Sequence, residues 1–376
     1  MARKYASCIA LCVLLSGLVS ASLGAEPTAR SIETMRNQAN AGTVGIVSGG
    51  VDGTYVRIAA DLAAVLDNPD GLRVLSLIGK GSLQNLSDII FLKGIDVGIV
   101  QSDVLAYAKR ERLYAGLDKS VQYIAKLYDE EMHILAGKGI ETVADLAGKK
   151  VNVDLSGSGT SMTTSVVFGR LGVPIQATNF DQALALEKLK QGEIAALVFV
   201  AGKPARLFGE LRGEDNLHFL PIPASAELLD TYLPAQLTHE DYPAVVPTDG
   251  TVETVAVGAV MAVYNWAPNS DRYRKVARFI DAFFGHFDAF LEPPRHPKWK
   301  EVNLAARVPS WTRFAAAGNW LDRETRLASG NSPLQKQFET FLNLTAGADR
   351  PISEVKKTTL FEEFVRWQQS GARERR

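Results

Sequence analysis

The sequence predicts an α/β protein built as two lobes around a cleft. Three observations carry this. Short apolar, strand-like runs alternate with helical patterns. The alternation comes in two series, over residues 42–135 and 136–250. A long alternating run over 251–264 is of a length to cross back from the second series to the first.

Composition sets the frame. The chain has 376 residues, 46% hydrophobic and 22% charged, with a formal net charge of -1. That is ordinary for a folded chain and excludes collagen-like, low-complexity and wholly disordered classes. A near-neutral balance gives no support for nucleic-acid binding through a basic surface. Arg3 and Lys4 followed by the apolar run Cys8–Val19 and small residues at Gly24 and Ala25 read as a cleavable secretory signal over residues 1–25. The run is short of the roughly 20 residues that span a bilayer. Both cysteines, Cys8 and Cys12, leave with the signal, so the mature chain has no disulfide, thiol nucleophile or Cys-bound zinc. Export to the periplasm is expected. Loss of Arg3 and Lys4 takes the net charge to -3; residues 292–376 carry +5 and residues 26–291 carry -8.

Residues 26–41 are polar and read as a lead-in. Val44–Val47 is a buried-type strand, and Ser48–Gly53 a glycine-rich turn. Tyr55–Leu66 is a helix with apolar positions at Ile58, Leu62, Val65 and Leu66, stopped by Asn68-Pro69-Asp70-Gly71. The unit repeats with a strand over 72–78, a turn over 79–82 and a helix over 83–92. It repeats again with a strand over 95–100 and a helix running to Arg110. Two strands follow, Val121–Tyr128 and Met132–Gly137, with Asp129-Glu130-Glu131 between them as a solvated junction loop.

The second series opens with a short helix over 142–146 and a strand over 150–154. A turn over 156–160 and a helix over 161–171 come next. Asp181–Gln191 is a helix, with Gly192 expected just past its end. Ile194–Val200 is a strand, Ala201–Pro204 a turn before a helix, Leu217–Ile222 a strand and Ala224–Tyr232 a helix. After the return strand, Arg272–Phe290 is amphipathic and ends at Pro293-Pro294. Residues 292–376 read as a mostly helical extension, with Trp299, Trp311, Trp320 and Trp367 available to pack on the body. The sheet is expected to be mainly parallel, with residues 42–135 and 251–291 in one lobe and 136–250 in the other.

Five turns share one design, a strand end, a Gly/Ser/Thr-rich turn and a helix start: Ser48–Tyr55, Gly79–Asn85, Gln101–Asp103, Ser156–Thr160 and Ala201–Pro204. Helix starts offer free N–H groups and positive dipole ends, and glycine lets a ligand approach the backbone. Gathered together they make a socket for a small carboxylate or phosphate. No phosphate-loop or Gly-x-Ser-x-Gly spacing is present, and no two of His133, His218, His239, His286 and His296 have metal-ligand spacing. His133 reads as a structural residue. The expectation is a binding protein with no catalytic residue, metal or cofactor. Enzymatic use of Glu130 and Glu131 on the same bilobal fold, or a sensing role, stands as the alternative.

At these turns the sequence resembles the TAXI-type solute receptors of TRAP transporters. The resemblance rests on Gly53-Thr54-Tyr55 after the first turn, Gly81-Ser82-Leu83-Gln84-Asn85-Leu86, Val100-Gln101-Ser102-Asp103 and Leu127-Tyr128 with His133. It continues in Thr142 to Val151, Gly157-Ser158-Gly159-Thr160 and Val200-Ala201-Gly202-Lys203-Pro204, over about residues 42–290. It implies a type II periplasmic-binding-protein fold. It further implies a receptor that closes on a small organic acid or amino acid, such as glutamate, and hands it to a TRAP-type membrane permease. Carried over by position, the implied contacts are Thr54, Tyr55, Ser82, Asn85, Gln101, Ser102, Ser158, Gly159, Thr160 and Gly202. Lys80 and Lys203 stand where that family has small residues and join the set, because a lysine beside the cleft favours an anion; the alternative is that both side chains point to solvent. Asp52, inserted in the first turn, favours an amine or a solvated loop.

Overall fold

The computed structural model describes residues 29–68 and 71–328. The secretory signal and Trp367 fall outside the described residues. Helix α1 (Ala29–Ala41) forms a unit of its own, a polar helix where only a lead-in was expected. Residues from Gly42 onward form the second unit.

The first series builds as the pattern dictates. Strand β1 (Thr43–Val47) leads to α2 (Thr54–Leu66), β2 (Arg73–Leu77) to α3 (Ser82–Phe91), and β3 (Val97–Gln101) to α4 (Val104–Arg110). A single helical turn, α5 (Leu117–Ser120), precedes β4 (Val121–Ala136). In the second series β5 (Lys150–Asn152), α6 (Gly159–Leu171), β6 (Gln176–Thr178), α7 (Gln182–Lys190) and β7 (Ala196–Ala201) alternate. Then come β8 (His218–Phe219), one turn of helix α8 (Ala226–Leu229), β9 (Leu233–Thr238) and β10 (Thr251–Tyr264). Helices α9 (Asp271–Gly285) and α10 (Ala315–Ala328) close the described chain.

One continuous sheet runs through this unit in the order β2-β1-β3-β10-β4-β7-β5-β6, with β8 beside β4 and β9 beside β10. It is mixed, which corrects the expected mainly parallel sheet. Strands β1–β3 are parallel to one another, as are β5–β7, but β4 and β10 run antiparallel to their partners in the middle. The reason is connectivity: β4 carries the chain from the first series to the second and β10 brings it back, and both serve both halves.

The core shows where the halves divide. Along β4 the apolar contacts change from one cluster set to another between Tyr128 and Met132; along β10 they change between Val257 and Ala259. Asp129, Glu130 and Glu131 occupy that gap on β4, opposite Gly258, Val257 and Ala256 of β10, and the ladder shifts register just after Gly258. The acidic run is therefore mid-strand and buried, with Glu130 and Glu131 only 2% and 4% exposed, and not the expected solvated loop. Partners distant in sequence make this tolerable. Tyr55 donates to Glu130, while the Lys203 backbone N–H and the Lys298 ammonium donate to Glu131.

The segment after Pro294 straps the first half. Asp61 on α2 accepts from the His296 backbone N–H and the Trp299 indole, both at 2.9 Å. Trp299 is fully buried among Phe283, Phe287 and Phe290, and Trp320 meets Phe284 edge-on. Trp311 donates to the Ser102 carbonyl at 2.8 Å. Residues 302–314 are largely irregular rather than helical.

Candidate functional site

Four of the five glycine-rich turns, with the strand leading to the fifth, line one cleft. Gly49, Gly50, Gly53, Thr54 and Tyr55 come from the first turn, Lys80, Gly81 and Ser82 from the second, and Gln101 from the end of β3. Asp154, Ser158, Gly159 and Thr160 come from the turn before α6, Phe199 and Val200 from β7, and Glu130 from the middle of β4. The space enclosed is about 50 Å³, room for a few water molecules.

Local chemistry makes the turns what they are. Gly81 takes φ +107, and a Cβ there would lie 3.3 Å from the Gly159 nitrogen, so the backbones of the two halves meet. Ser158 caps α6 by accepting from the Ser161 N–H at 3.0 Å. The starts of α2, α3 and α6 border the cleft together, and a helix start carries N–H groups that have no partner within the helix.

The halves touch all around the cleft. Tyr55 donates to Glu130 at 2.7 Å, and Thr54 Oγ1 donates to the Gly202 carbonyl at 3.3 Å. Thr163 on α6 donates to Gln101 at 3.1 Å and to Asp103 at 3.3 Å, and the Gln84 N–H donates to the Gly157 carbonyl at 3.0 Å.

Of the twelve residues named from sequence, Thr54, Tyr55, Lys80, Ser82, Gln101, Ser158, Gly159 and Thr160 line the cleft. Ser82 accepts from the Gln101 N–H, and Thr160 accepts from the Val200 N–H. Lys80 is exposed at the rim. Asn85 is buried beneath the site, its amide donating to the carbonyls of Ser48 and Ile99, both at 2.7 Å; it holds the first turn rather than facing the cavity. Ser102 lies off the lining, its backbone engaged with Gly258 and Trp311. Gly202 is also off the lining. A Cβ there would run into Tyr128 and the Lys298 stem at 3.0–3.2 Å, so its place is structural. Lys203 is turned away altogether. Its ammonium pairs with Asp241 at 2.9 Å and the Gln236 carbonyl at 2.7 Å, which corrects its expected cleft role.

Sequence reasoning missed Glu130, Asp154 and Phe199 as lining residues. The available signal for Glu130 was a strand-compatible pattern unbroken on both sides of it. Burial pushes the Glu130 carboxyl up to about 8; the Tyr55 hydrogen bond opposes this and nearby Glu131 adds to it. Burial likewise raises Asp154 to about 6, against hydrogen bonds from Leu155 and Ser158. Burial raises Glu131 too, opposed by Lys298, whose own pKa the two partners Glu131 and Glu301 hold up against burial. His133 sits among Phe208, Phe219 and Tyr242, with Nδ1 at 3.1 Å from the Phe199 carbonyl and Nε2 at 2.7 Å from the Tyr242 hydroxyl. Burial lowers it to about 4, so it is a neutral core residue at neutral pH. Among the described residues no group of three or more His, Cys, Asp or Glu is placed to hold a metal ion, and no helix is long and apolar enough to cross a membrane.

The sequence model of the NMT1-like family matches residues 46–281, more than half of the chain. Solved structures similar to the chain include the alkanesulfonate-binding protein SsuA from Xanthomonas axonopodis pv. citri bound to MOPS. That match is at 17% identity, covering 78% of this chain and 95% of that one, with a TM-score of 0.41. The periplasmic binding protein BugD matches at 12% identity over 77% and 98%, TM-score 0.46. Holo ArgBP from T. maritima matches at 15% identity over 66% and 92%, TM-score 0.39.

Proposed function

The chain belongs to the NMT1-like family, and on that premise we propose that it is a solute receptor of the periplasm that captures a small organic acid and passes it to a membrane permease. The observation that carries the reading is the cleft itself. Turns far apart in sequence converge on it from both halves of the sheet, and three helix starts face it. A carboxylate seated there is held by backbone N–H groups and dipoles that need no counter-cation.

In this reading the two halves are lobes. They open and shut about the crossing of β4 and β10 at Asp129–Glu131 and Gly258, where each strand leaves one core for the other. The solute is bound by contacts available only when both halves meet, so it selects the shut form. The motifs through Gly53-Thr54-Tyr55 and Gly157-Ser158-Gly159-Thr160 favour the TAXI type, and hence a TRAP permease as recipient.

The test is native mass spectrometry of the protein purified from its host, followed by calorimetry with the released solute. A stoichiometric small acid with micromolar or tighter affinity is expected, and solute uptake should be lost in a deletion strain. Protein that arrives empty and binds no small solute sinks the reading.

A further inference from the structure

We infer that a second binding site, for a phosphate-bearing anion, lies at the far end of the second half, away from the cleft. The cleft takes the carboxyl ends of β5 and β7, through the turn before α6 and through Phe199 and Val200. At the beginnings of the same two strands opens a hollow of about 620 Å³, a size usual for small-molecule sites. The length of β7 separates the two, so the hollow is no part of the site already described.

The charge of the hollow points to an anion. Residues 26–291 carry a net charge of -8, yet four lysines line this hollow against two acids. Both acids are engaged. Glu193 pairs with Lys188 at 2.7 Å, and Asp215 pairs with Lys190 at 3.2 Å while accepting from the Arg212 N–H at 2.9 Å. Lys190 has a structural reason to be there, since it ends α7, where the helix dipole favours a cation. Lys138, Lys149 and Lys150 are different. All three are exposed, and among the described residues no acidic side chain pairs with their ammonium groups.

The fold gathers these three. Lys138 follows β4, while Lys149 and Lys150 open β5. Ala195 stands between the two segments. Its N–H donates to the Lys150 carbonyl at 2.8 Å, and its carbonyl accepts from the Gly137 N–H at 3.1 Å. Like charges around one concavity repel one another and focus a positive field into it, and a multiply charged anion seated there relieves the repulsion. Gly148 and Gly192 form part of the wall, and a Cβ at either would meet nothing within 4 Å, so the hollow is open to a ligand. The type of cation narrows the class. Planar, bidentate recognition of a carboxylate calls for arginine, and among the described residues none lines the hollow. Lysine serves phosphate as a point charge on a flexible stem. A free polyphosphate and the headgroup of an anionic lipid share this chemistry.

The experiment separates those sources. The full chain is titrated with inorganic pyrophosphate by calorimetry at low salt, and floated with vesicles of phosphatidylglycerol or of phosphatidylcholine alone. The hollow variant combines Lys138→Gln, Lys149→Gln and Lys150→Gln. A control variant removes the same charge elsewhere, by Lys93→Gln, Lys119→Gln and Lys300→Gln. All six lysines are exposed, so both variants should fold, which thermal melting checks. Wild type and control should bind pyrophosphate, phosphatidylglycerol vesicles or both, saturably and less well in added salt. The hollow variant should bind about tenfold more weakly. Pyrophosphate binding without vesicle binding identifies a free anion; binding to phosphatidylglycerol vesicles identifies a headgroup. Equal weakening in both variants would reduce the effect to net charge and overturn the inference. Unaltered binding in the hollow variant, or a wild type that binds neither probe, overturns it too. The single variants Lys138→Gln and Lys149→Gln carry the same test should the triple one fail to fold.

Discussion

Tyr232, from the end of the second series, donates its hydroxyl across 3.0 Å to the carboxylate of Asp103, which follows β3 in the first. Thr163 adds a second donor to the same oxygen at 3.3 Å, and Asp103 is only 6% exposed. These bonds join the two halves of the sheet beside the cleft, and on the proposed reading they exist only while it is shut. Tyr232→Phe removes one hydrogen bond to a charged group, of the order of 1.5–3 kcal/mol in such settings. Solute affinity is expected to fall by about tenfold or more, with little change in the melting temperature of the solute-free protein. Calorimetry and thermal melting of the variant check this; unaltered affinity would show that the pair is no latch.

Gly159 offers a sharper test of closure. A Cβ at this position would lie 2.5 Å from Gln101 Oε1 and 2.7 Å from Ser82 Oγ, both across the cleft on the other half. Its own backbone is helical at the start of α6, where alanine is favoured over glycine. Gly159→Ala should therefore fold as well as the wild type but resist shutting. Expected are a melting temperature equal or slightly higher, a solute affinity at least 100-fold weaker, and no compaction on adding solute in small-angle scattering. Full compaction in the variant would refute the argument.

These two positions show what the sequence could and could not disclose. The turns were legible because apolar strand ends, glycines and caps are local signals. The 14-residue return strand was legible because it alternates and runs on without a turn signal. Glu130 was not legible as a cleft residue, since its donor Tyr55 lies 75 positions away. Glu131 was hidden for the same reason, its lysine being 167 positions distant. Lys203 looked like a cleft cation until Asp241 claimed it. Strands β6 and β9 escaped because they are short, largely exposed edge pieces, one of them with Pro234 inside, that lack an apolar run.

The raised carboxyls make stability depend on pH in a stated direction. Glu130 titrates near 8 in the folded protein, above the ordinary glutamate value it regains on unfolding. The folded state therefore binds more protons than the unfolded one between those two values, and this group's contribution falls as pH rises through that window, by at most about 1.4 kcal/mol per unit. Below the window the contribution is flat, and above it the loss is complete. Asp103 and Asp154, near 6, act in the same direction at lower pH, while His133, near 4, opposes them between 4 and its unfolded value. The range from pH 6.5 to 8 is thus governed by Glu130 among these groups. Solute-free wild type should lose denaturant stability over that range, and Glu130→Gln should lose markedly less. Parallel pH profiles for the two proteins would contradict the assignment.

The Lys298–Glu131 pair makes the strap part of the cleft's foundation. Lys298 reaches past Gly202, whose lack of a side chain gives its stem room, and holds Glu131 and Glu301, both at 2.8 Å. Glu131 also accepts from the Lys203 N–H at 2.8 Å, so one carboxylate joins β4, the turn after β7 and the strap. Lys298→Met keeps the stem's bulk but strands a buried carboxylate, and breaking such a pair typically costs about 3–5 kcal/mol. Replacing both partners, Lys298→Met with Glu131→Gln, removes the stranded charge while keeping the shape. The double variant is expected to recover at least half of the stability lost in the single one. Urea unfolding of wild type, both single variants and the double variant measures the coupling. Additive losses would mean that the strap is held by its other contacts, with the ion pair contributing nothing to the junction.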